Sequence, residues 1–295
     1  MIEINDKNVD SVLSVVIPAF NEEKGISKVI IDLKAILDNT HLQYEIIVVD
    51  DGSSDKTSEI VQKHNFVRMV QHPINRGYGA SLKTGIKAAK GNLILITDAD
   101  GTYPNEYIPE LLEYSDKYDM VVGARTGKNV HIPLYRRPAK MFLNKLANYL
   151  VGIKIPDINS GMRLFKKEDS MKYFHILPSG FSFTTTITLA YLSDNLTVKY
   201  IPINYNKREG SSKIRPTDFI NFIILTLKTI TYFNPLKIFL PISAIIFLIA
   251  IVLFLYSKFI VGETFDDSVM MLIIGAIQIG LFGLIADLIV KRSVK

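Results

Sequence analysis

The stretch that most constrains this chain lies at 92–105, where an apolar segment is followed at once by two acids. Leu93–Ile96 is uninterrupted aliphatic sequence between turn-forming residues, a pattern typical of a buried central strand. Asp98 and Asp100 come after it, separated by one small residue. Ligands of open α/β sheets lie beyond the carboxyl ends of the strands, so the two carboxylates are candidates for sharing one divalent cation. An isolated Asp-x-Asp pair is more often a surface turn, and it is the rest of the chain that favours the cation site over the turn.

The first 125 residues alternate between patterns typical of strands and of helices. Short apolar or β-branched segments predict strands at 13–17, 44–49, 67–70, 93–96 and 119–124. Apolar spacing and capping signals predict helices at 24–39, from about 56 with Asp55 as its cap, from 79 to 89, and at 105–114. This alternation predicts an α/β fold with a doubly wound, mostly parallel sheet. The second strand also ends in acids, Asp50 and Asp51, which suit a ribose or base, whereas Asp98 and Asp100 suit a metal-bound diphosphate.

Composition and missing motifs exclude several classes of protein. The chain has 295 residues and no cysteine, which excludes disulfides, thiolate metal sites and thiol nucleophiles. It contains neither a Gly-x-Gly-x-x-Gly nor a Walker sequence, and the glycine-rich loop at 75–79 matches neither, so dinucleotide and P-loop binding are disfavoured. Residues 1–11 are polar and charged, so no signal peptide is expected there. A nucleic-acid partner is not expected.

Four motifs, in order along the chain, resemble the family-2 glycosyltransferases with the GT-A fold. They lie at 15–23 (VVIPAFNEE), 48–55 (VVDDGSSD), 75–77 (NRG) and 98–100 (DAD). Two further segments, 159–165 (NSGMRLF) and 208–213 (REGSSK), are similar to those of polyprenyl-phosphate sugar transferases, such as dolichyl-phosphate mannose and glucose synthases and their undecaprenyl-phosphate counterparts. The resemblance covers about residues 13–215. It implies that a nucleotide sugar is bound by Pro18, Ala19, Asn21, Glu22, Val49, Asp50, Asp51, Arg76, Gly77, Asp98 and Ala99.

The resemblance also implies a reaction, the inverting transfer of a hexose from a nucleoside diphosphate to a dolichyl or undecaprenyl phosphate. The nucleotide is UDP or GDP, with UDP slightly favoured. A divalent cation, Mg²⁺ or Mn²⁺, would be held by Asp98 and Asp100 and would neutralise the departing diphosphate. Arginines would hold the acceptor, because a planar guanidinium pairs well with phosphate oxygens. The expected catalytic residues are Asp98, Asp100, Arg125 and Arg208, and the expected acceptor-phosphate residues are Arg125, Arg136, Arg137, Arg208, Ser212 and Lys213.

Two positions depart from the resembled pattern. Thr102 stands where relatives carry a glutamine that can be an extra metal ligand, so water is expected to take that place. Threonines occupy 184–186, where the relatives' helix often has an acidic residue; the β-branched run is locally typical of a strand, but a helix is predicted at 181–192. This departure leaves the donor sugar undecided. A further helix is predicted at 138–150, and the turn-rich stretch at 159–163 is expected to line the sugar pocket.

The last part of the chain predicts a membrane anchor. An apolar segment interrupted by polar residues at 219–233 is typical of a helix lying in the membrane interface. Apolar segments at about 239–257 and 269–290 are long enough to span hydrocarbon. The predicted organisation is a catalytic domain at 1–215, an interfacial helix at 216–235 and two transmembrane helices within 236–295. The distribution of basic residues places both termini in the cytoplasm.

Other readings of the same sequence stay open. The two apolar segments could instead be core helices of a soluble domain, and they could also associate into a homo-oligomer. A processive polysaccharide synthase is disfavoured because those resembling cellulose or chitin synthases carry a Gln-x-x-Arg-Trp motif, and this chain has no tryptophan. Relatives that glycosylate alcohols usually need a carboxylate base, for which the sequence after 126 offers no clear candidate. A membrane-anchored nucleotide-sugar-binding scaffold without turnover is the alternative from another class.

Overall fold

The computed structural model describes residues 12–127, 141, 145, 147–149, 151–180, 182–206, 218–262 and 267–293. The chain divides into two compact units, residues 1–222 and 223–295. Five of the six residues predicted to bind the acceptor phosphate lie outside the described residues: Arg136, Arg137, Arg208, Ser212 and Lys213.

The N-terminal unit is an α/β layer structure built on one sheet. Its strands are β1 Val12–Ala19, β2 Gln43–Asp50, β3 Val67–Gln71, β4 Leu93–Ile96, β5 Met120–Ala124, β6 Arg163–Lys166 and β7 Val198–Pro202. Its helices are α1 Ile26–Leu37, α2 Thr57–Gln62, α3 Tyr78–Ala88, α4 Ile108–Glu113 after a 3₁₀ turn at Asn105–Tyr107, α5 Lys167–Lys172 and α6 Phe183–Ser193. Residues 141, 145, 147–149 and 151 are also helical.

The sheet has seven strands in the order β3-β2-β1-β4-β6-β5-β7. All neighbouring pairs are parallel except β4–β6 and β5–β6, because β6 runs in the opposite direction. The prediction of a mostly parallel, doubly wound sheet is therefore confirmed. The five strands and four helices predicted before 125 are present, with bounds displaced by a few residues. β6, α5 and β7 were not predicted, since each is short and lacks a clear periodic pattern.

The predicted cap of the second helix, Asp55, was wrong. The second helix begins at Thr57, and the residue in its N-cap position is Lys56 rather than Asp55. The Asp55 carboxylate nevertheless accepts a hydrogen bond from the Thr57 N–H at 3.0 Å and another from the Glu23 N–H at 3.1 Å. Asp55 therefore orders the helix start from one residue further out, and joins it to the loop after β1.

β1 and β4 form the buried centre of the sheet, and their ends bring the acids to one edge. Leu93–Ile96 is buried throughout and pairs with Leu13–Val16 of β1. β1 continues three residues beyond its pairing with β4. Pro18 lies in this extension, where no backbone N–H is needed to pair with β4, so a residue without an N–H is tolerated. On the other side, Ala19 pairs with Asp50, so β1, β2 and β4 all end at the same edge.

The run of threonines at 184–186 is helical, as predicted at 181–192. Thr186 donates its hydroxyl to the Ser182 carbonyl at 3.1 Å, and Thr188 donates to the Thr184 carbonyl at 2.8 Å. Bonding to the carbonyl four residues earlier satisfies each hydroxyl within the helix. Because α6 is buried over Phe183–Tyr191, packing outweighs the local strand preference.

The C-terminal part contains three helices, α7 Asp218–Phe233, α8 Leu236–Tyr256 and α9 Asp267–Ser293, with a π-helical turn at Ser257–Val261. Two segments, Leu236–Ile260 and Asp267–Val290, are long and apolar enough to cross a membrane, with mean hydropathies of 3.1 and 2.4. Only 6% and 17% of their most apolar windows are buried, whereas the core helix of a soluble protein is mostly buried. This matches the two predicted spans.

Small residues let α8 and α9 pack closely in this hairpin. A Cβ added to Gly283 would lie 2.7 Å from the Cβ of Phe239, and one added to Gly280 would lie 3.1 Å from Ser243 Oγ. Ser243 Oγ also donates to the Ala276 carbonyl at 2.7 Å. In an apolar medium such close packing and interhelical hydrogen bonds are what hold helices together.

Candidate active site

A cavity of about 280 Å³ lies at the sheet edge where β1, β2 and β4 end. Its lining comes from the loop after β1, the end of β2, the loop into α3 and the residues after β4. The lining residues are Pro18, Ala19, Phe20, Glu22, Asp51, Asn75, Gly77, Tyr78, Ser81, Asp98, Ala99 and Asp100. Four motifs far apart in the sequence thus meet in one place, and both acids of the DAD motif line the same cavity.

Asp98 is held from two sides. Tyr78, the first residue of α3, donates its hydroxyl to Asp98 Oδ1 at 2.9 Å. On the other side, a Cβ added to Gly161 would lie 2.9 Å from Asp98 Oδ2 and 3.1 Å from the ring of Tyr103. Gly161 is itself fixed by its N–H, which donates to the Tyr103 hydroxyl at 2.6 Å. The glycine of the NSGMRLF segment is therefore required because the Asp98 carboxylate lies directly against its backbone.

The Tyr78 hydroxyl is a stable donor for this contact. Burial raises the pKa of Tyr78 well above its usual value, and the charge of Asp98 raises it further. The hydroxyl stays protonated at any physiological pH, so it can always donate to the carboxylate.

Asp100 is held by its own turn. Thr102 donates both its backbone N–H, at 3.1 Å, and its hydroxyl, at 2.6 Å, to Asp100 Oδ1. Thr102 is fully buried. The Thr102 side chain therefore orients Asp100.

Asp51 ties the end of β2 to the loop before α3. Its carboxylate accepts the N–H of Arg76 at 2.9 Å, the N–H of Gly77 at 2.8 Å and Nδ1 of His72 at 2.7 Å. Gly77 has φ of +99°, and an added Cβ would lie 2.6 Å from the Ser179 carbonyl oxygen, so glycine is required there. One wall of the cavity is thus shaped by a carboxylate that binds backbone N–H groups.

Asp50, next to it, faces the protein interior. It is fully buried and accepts hydrogen bonds from the Ser53 N–H at 3.1 Å, from Gln71 Nε2 at 3.1 Å and from the Ser58 hydroxyl. It is absent from the cavity lining. The two adjacent acids therefore have different positions, one shaping the cavity and one ordering the turn behind it.

The residues predicted to bind the nucleotide sugar fall into two groups, those that line the cavity and those that do not. Those lining the cavity are Pro18, Ala19, Glu22, Asp51, Gly77, Asp98 and Ala99. The others are Asn21, Val49, Asp50 and Arg76, which lie beside it; Asn21, for example, accepts the Ser54 N–H at 2.8 Å. Phe20, Asn75, Tyr78 and Ser81 line the cavity but were absent from the sequence-based set. The available signal was the NRG motif, which contains Asn75 and is followed directly by Tyr78.

Arg125, predicted to bind the acceptor phosphate, is paired within the protein. Its Nε and a terminal nitrogen donate to the two oxygens of Asp157 at 2.7 and 2.9 Å, and its guanidinium lies 5.2 Å from the ring centre of Tyr205. Asp157 is fully buried, while the Arg125 side chain is 16% exposed. Its acceptor role stays a prediction, and the structure adds that Asp157 orients this guanidinium.

Arg163, which sequence reasoning placed at the end of a turn, is a fully buried cation at the start of β6. It donates to the Ser160 carbonyl at 3.1 Å, the Thr184 carbonyl at 3.0 Å and the Thr188 hydroxyl at 3.0 Å. Burial lowers its pKa below the usual value. The NSGMRLF segment is thereby joined to α6, and Asn159 in the same segment is hydrogen-bonded to Thr185.

The donor set suits a hard divalent cation. In the part of the chain that the structure describes, no three or more His, Cys, Asp or Glu side chains form a cluster that could hold a metal by themselves. Asp98 and Asp100 nevertheless line one cavity and offer carboxylate oxygens. Magnesium is commonly bound by one or two carboxylates, with substrate phosphates and water completing the shell. Two oriented carboxylates therefore match a cation that arrives with a diphosphate.

Comparison with solved structures identifies the same fold elsewhere. Glucosyl-3-phosphoglycerate synthase of Mycobacterium tuberculosis, in complex with Mn²⁺, UDP-glucose and phosphoglyceric acid, superposes with a TM-score of 0.58 at 19% identity, over 75% of this chain and 80% of that one. This likeness establishes a GT-A-like fold.

Comparison of sequences identifies the family. Residues 14–174 match the model for glycosyl transferase family 2, and residues 234–291 match the GtrB C-terminal hairpin. The dolichyl-phosphate hexose transferase of Haloferax volcanii is 32% identical over 69% of this chain and 87% of its own length. The undecaprenyl-phosphate 4-deoxy-4-formamido-L-arabinose transferase of Edwardsiella ictaluri is 30% identical over 94% of this chain and 88% of its own. The chain therefore belongs to glycosyl transferase family 2 and is a glycosyltransferase similar to those that act on polyprenyl phosphates.

Proposed function

We propose that this protein transfers a hexose, with inversion, from a nucleoside diphosphate to a polyprenyl phosphate at the cytoplasmic face of a membrane. The observation that carries the proposal is the convergence of Asp51, Asp98 and Asp100 on one cavity at the sheet edge. The two relatives named above, one acting on dolichyl phosphate and one on undecaprenyl phosphate, support the acceptor class. The product would be a lipid-phosphate sugar, a donor for glycan or glycoprotein assembly.

The donor would lie along the cavity, with its nucleotide near Asp51 and its diphosphate near Asp98 and Asp100. The loop at 75–78 forms one wall, and the residues after β1 form the other. UDP is the favoured nucleotide, and the UDP-glucose complex of the mycobacterial neighbour is compatible with it.

A divalent cation, Mg²⁺ or Mn²⁺, bound by Asp98 and Asp100 would act as a Lewis acid that stabilises the charge of the departing diphosphate. The chain's part is to keep both carboxylates in place before the donor arrives. Tyr78 orients Asp98, and Thr102 orients Asp100. Such preorganisation avoids reorientation during the reaction, which is why fixed polar groups are effective in catalysis.

An acceptor phosphate needs little help with deprotonation, because it is already an anion at neutral pH. In keeping with this, the first turn of α6 carries threonines and no acidic residue that could act as a base, and Thr185 is hydrogen-bonded to Asn159. What the acceptor does need is relief from repulsion by the donor diphosphate. Arg125, oriented by Asp157, is the described residue suited to that task, and Arg136, Arg137, Arg208, Ser212 and Lys213 are further proposed contacts.

The proposed membrane orientation has both termini in the cytoplasm, where nucleotide sugars are made. Lys228 and Lys237 precede the first predicted span at 239–257, and Lys291, Arg292 and Lys295 follow the second at 269–290. The connecting segment carries Lys258 but also three acids, Glu263, Asp266 and Asp267.

The test uses the purified full chain in nanodiscs with polyprenyl phosphate, Mg²⁺ or Mn²⁺ and a panel of UDP- and GDP-hexoses. Release of nucleoside diphosphate and formation of glycolipid are measured together, with Asp100→Ala as the control variant. Lipid-dependent turnover with one donor, lost in the variant, is the expected result and identifies the sugar. Donor binding without sugar transfer to dolichyl or undecaprenyl phosphate would refute the transferase proposal and favour a nucleotide-sugar-binding scaffold.

A further inference from the structure

A buried histidine connects Asp51 to helix α3, and the reaction proposed above does not use it. His72 follows β3 and is 4% exposed. Its Nδ1 lies 2.7 Å from Asp51 Oδ1, and its Nε2 lies 2.9 Å from the hydroxyl of Thr84 on α3. A carboxylate can only accept, so Nδ1 carries the proton, while Nε2 and the Thr84 hydroxyl share the second hydrogen bond. The three side chains form one continuous chain of hydrogen bonds.

The orientation of Asp51 decides whether one wall of the donor cavity exists. The same carboxylate that accepts from His72 also accepts the backbone N–H groups of Arg76 and Gly77. A rotated carboxylate would lose both of these bonds to the loop. The loop supplies Asn75, Gly77 and Tyr78 to the cavity lining.

The surrounding backbone leaves this turn little freedom. Gly52, directly after Asp51, has φ of +72°, and an added Cβ would lie 2.7 Å from the carbonyl carbon of Ile74. The His72 N–H also donates to the Asp50 carbonyl at 2.9 Å, which continues the pairing of β2 and β3. His72 is thus fixed through both its main chain and its side chain, and can hold Asp51 in one rotamer.

We propose that His72 and Thr84 are positioning residues for donor binding, which hold Asp51 so that the loop at 75–78 is formed before the nucleotide sugar arrives. The inference rests on the proposed function in one respect, that the ligand of this cavity is a nucleotide sugar. A preformed loop lowers the ordering entropy lost on binding, so loosening it weakens affinity for the donor. Neither residue lines the cavity, so neither contacts the donor there.

The test compares variants that differ by single hydrogen-bonding groups, in the full chain in nanodiscs. Thr84→Val removes the hydroxyl and keeps the shape, whereas Thr84→Ser keeps the hydroxyl. His72→Asn keeps an N–H near the position of Nδ1, whereas His72→Leu keeps none. UDP and GDP are each titrated by calorimetry in the absence of lipid, and the KM values of donor and acceptor are measured with the donor that the wild type uses.

Thr84→Val is expected to raise the Kd of the nucleoside diphosphate and the donor KM about 3- to 10-fold, the range for loss of one buried hydrogen bond. The acceptor KM should stay unchanged, Thr84→Ser should restore wild-type values, and His72→Asn should be affected less than His72→Leu. Thermal unfolding is measured on each variant, because a purely structural role would lower stability without this selective loss.

Two results would overturn the inference. One is an unchanged nucleoside diphosphate affinity in Thr84→Val and His72→Leu. The other is an equal rise of the donor and acceptor KM values. Because calorimetry needs no acceptor, binding decides the inference even if the wild type turns over no lipid, a result that would count against the transferase proposal alone. A wild type that binds neither UDP nor GDP would refute both.

Discussion

The contact between Tyr78 and Asp98 provides the sharpest test of the proposed cation site. Tyr78→Phe removes one hydroxyl and leaves the ring to fill the same space. Asp98 then loses a donor at 2.9 Å from Oδ1. The carboxylate is expected to become less well oriented towards the cavity, while the fold around it stays intact.

The size of the effect follows from this geometry. A hydrogen bond to a charged group contributes about 1.5–3 kcal/mol, and part of that loss appears in folding rather than in binding. If about 1.4 kcal/mol appears in binding, the apparent affinity for the cation falls about tenfold. That value lies at the lower end of the roughly 10- to 100-fold losses seen when a group orienting a metal ligand is removed.

The assay is a titration of Mn²⁺ in the presence of UDP, followed by electron paramagnetic resonance of the free ion, together with turnover against Mn²⁺ concentration. Tyr173→Phe is the matched control, because it also removes a tyrosine hydroxyl bonded to an aspartate, here Asp194 Oδ2 at 2.7 Å, outside the cavity lining. The control should lower stability and leave the titration unchanged. Equal Mn²⁺ affinity in Tyr78→Phe and wild type would refute the reasoning that Asp98 is a cation ligand oriented by Tyr78.

Three further predictions follow from the same site. Gly161→Ala places a Cβ 2.9 Å from Asp98 Oδ2 and should lower kcat about 10- to 100-fold. Gly180→Ala is the control, because nothing lies within 4 Å of its added carbon, and it should leave kcat unchanged. A similar effect of both substitutions on kcat would contradict the role of Gly161 beside Asp98. Asp157→Asn leaves Arg125 without its charged partner and should lower the unfolding free energy of the N-terminal unit by about 3 kcal/mol, measured by thermal unfolding. An unchanged unfolding temperature would show that the ion pair does not contribute to stability. Chelation with EDTA should abolish turnover, and Mg²⁺ or Mn²⁺ should restore it; full activity in EDTA would rule out the cation.

Much of the fold could be predicted because its signals are local. The apolar run at 93–96 and the amphipathic spacing at 24–39 each carry their period within one element, and both elements are present. β6 escaped prediction because four residues carry too little pattern to distinguish a strand from a turn. Its antiparallel direction depends on pairing with β4 and β5, which no local pattern specifies.

The candidate site was predicted in part for a related reason. Residues inside recognisable motifs, such as Asp98 and Gly77, were identified, and both line the cavity. Asp50 and Asp51 look equivalent in sequence, yet one is turned into the interior and the other towards the loop at 75–78. Successive residues at a strand end point to opposite sides, and only the packing around them determines which side is the cavity.

The sequence by itself determined the family, the order of strands and helices over the first 125 residues, the two apolar C-terminal segments and the acids at the strand ends, because all of these are encoded in contiguous residues. Only the tertiary structure decided the partners of the charged groups. Asp157 pairs with Arg125 across 32 positions, and His72 lies between Asp51 and Thr84. Such contacts depend on how the sheet brings distant segments together, and a buried charge or polar group is stable only where that arrangement supplies its partner.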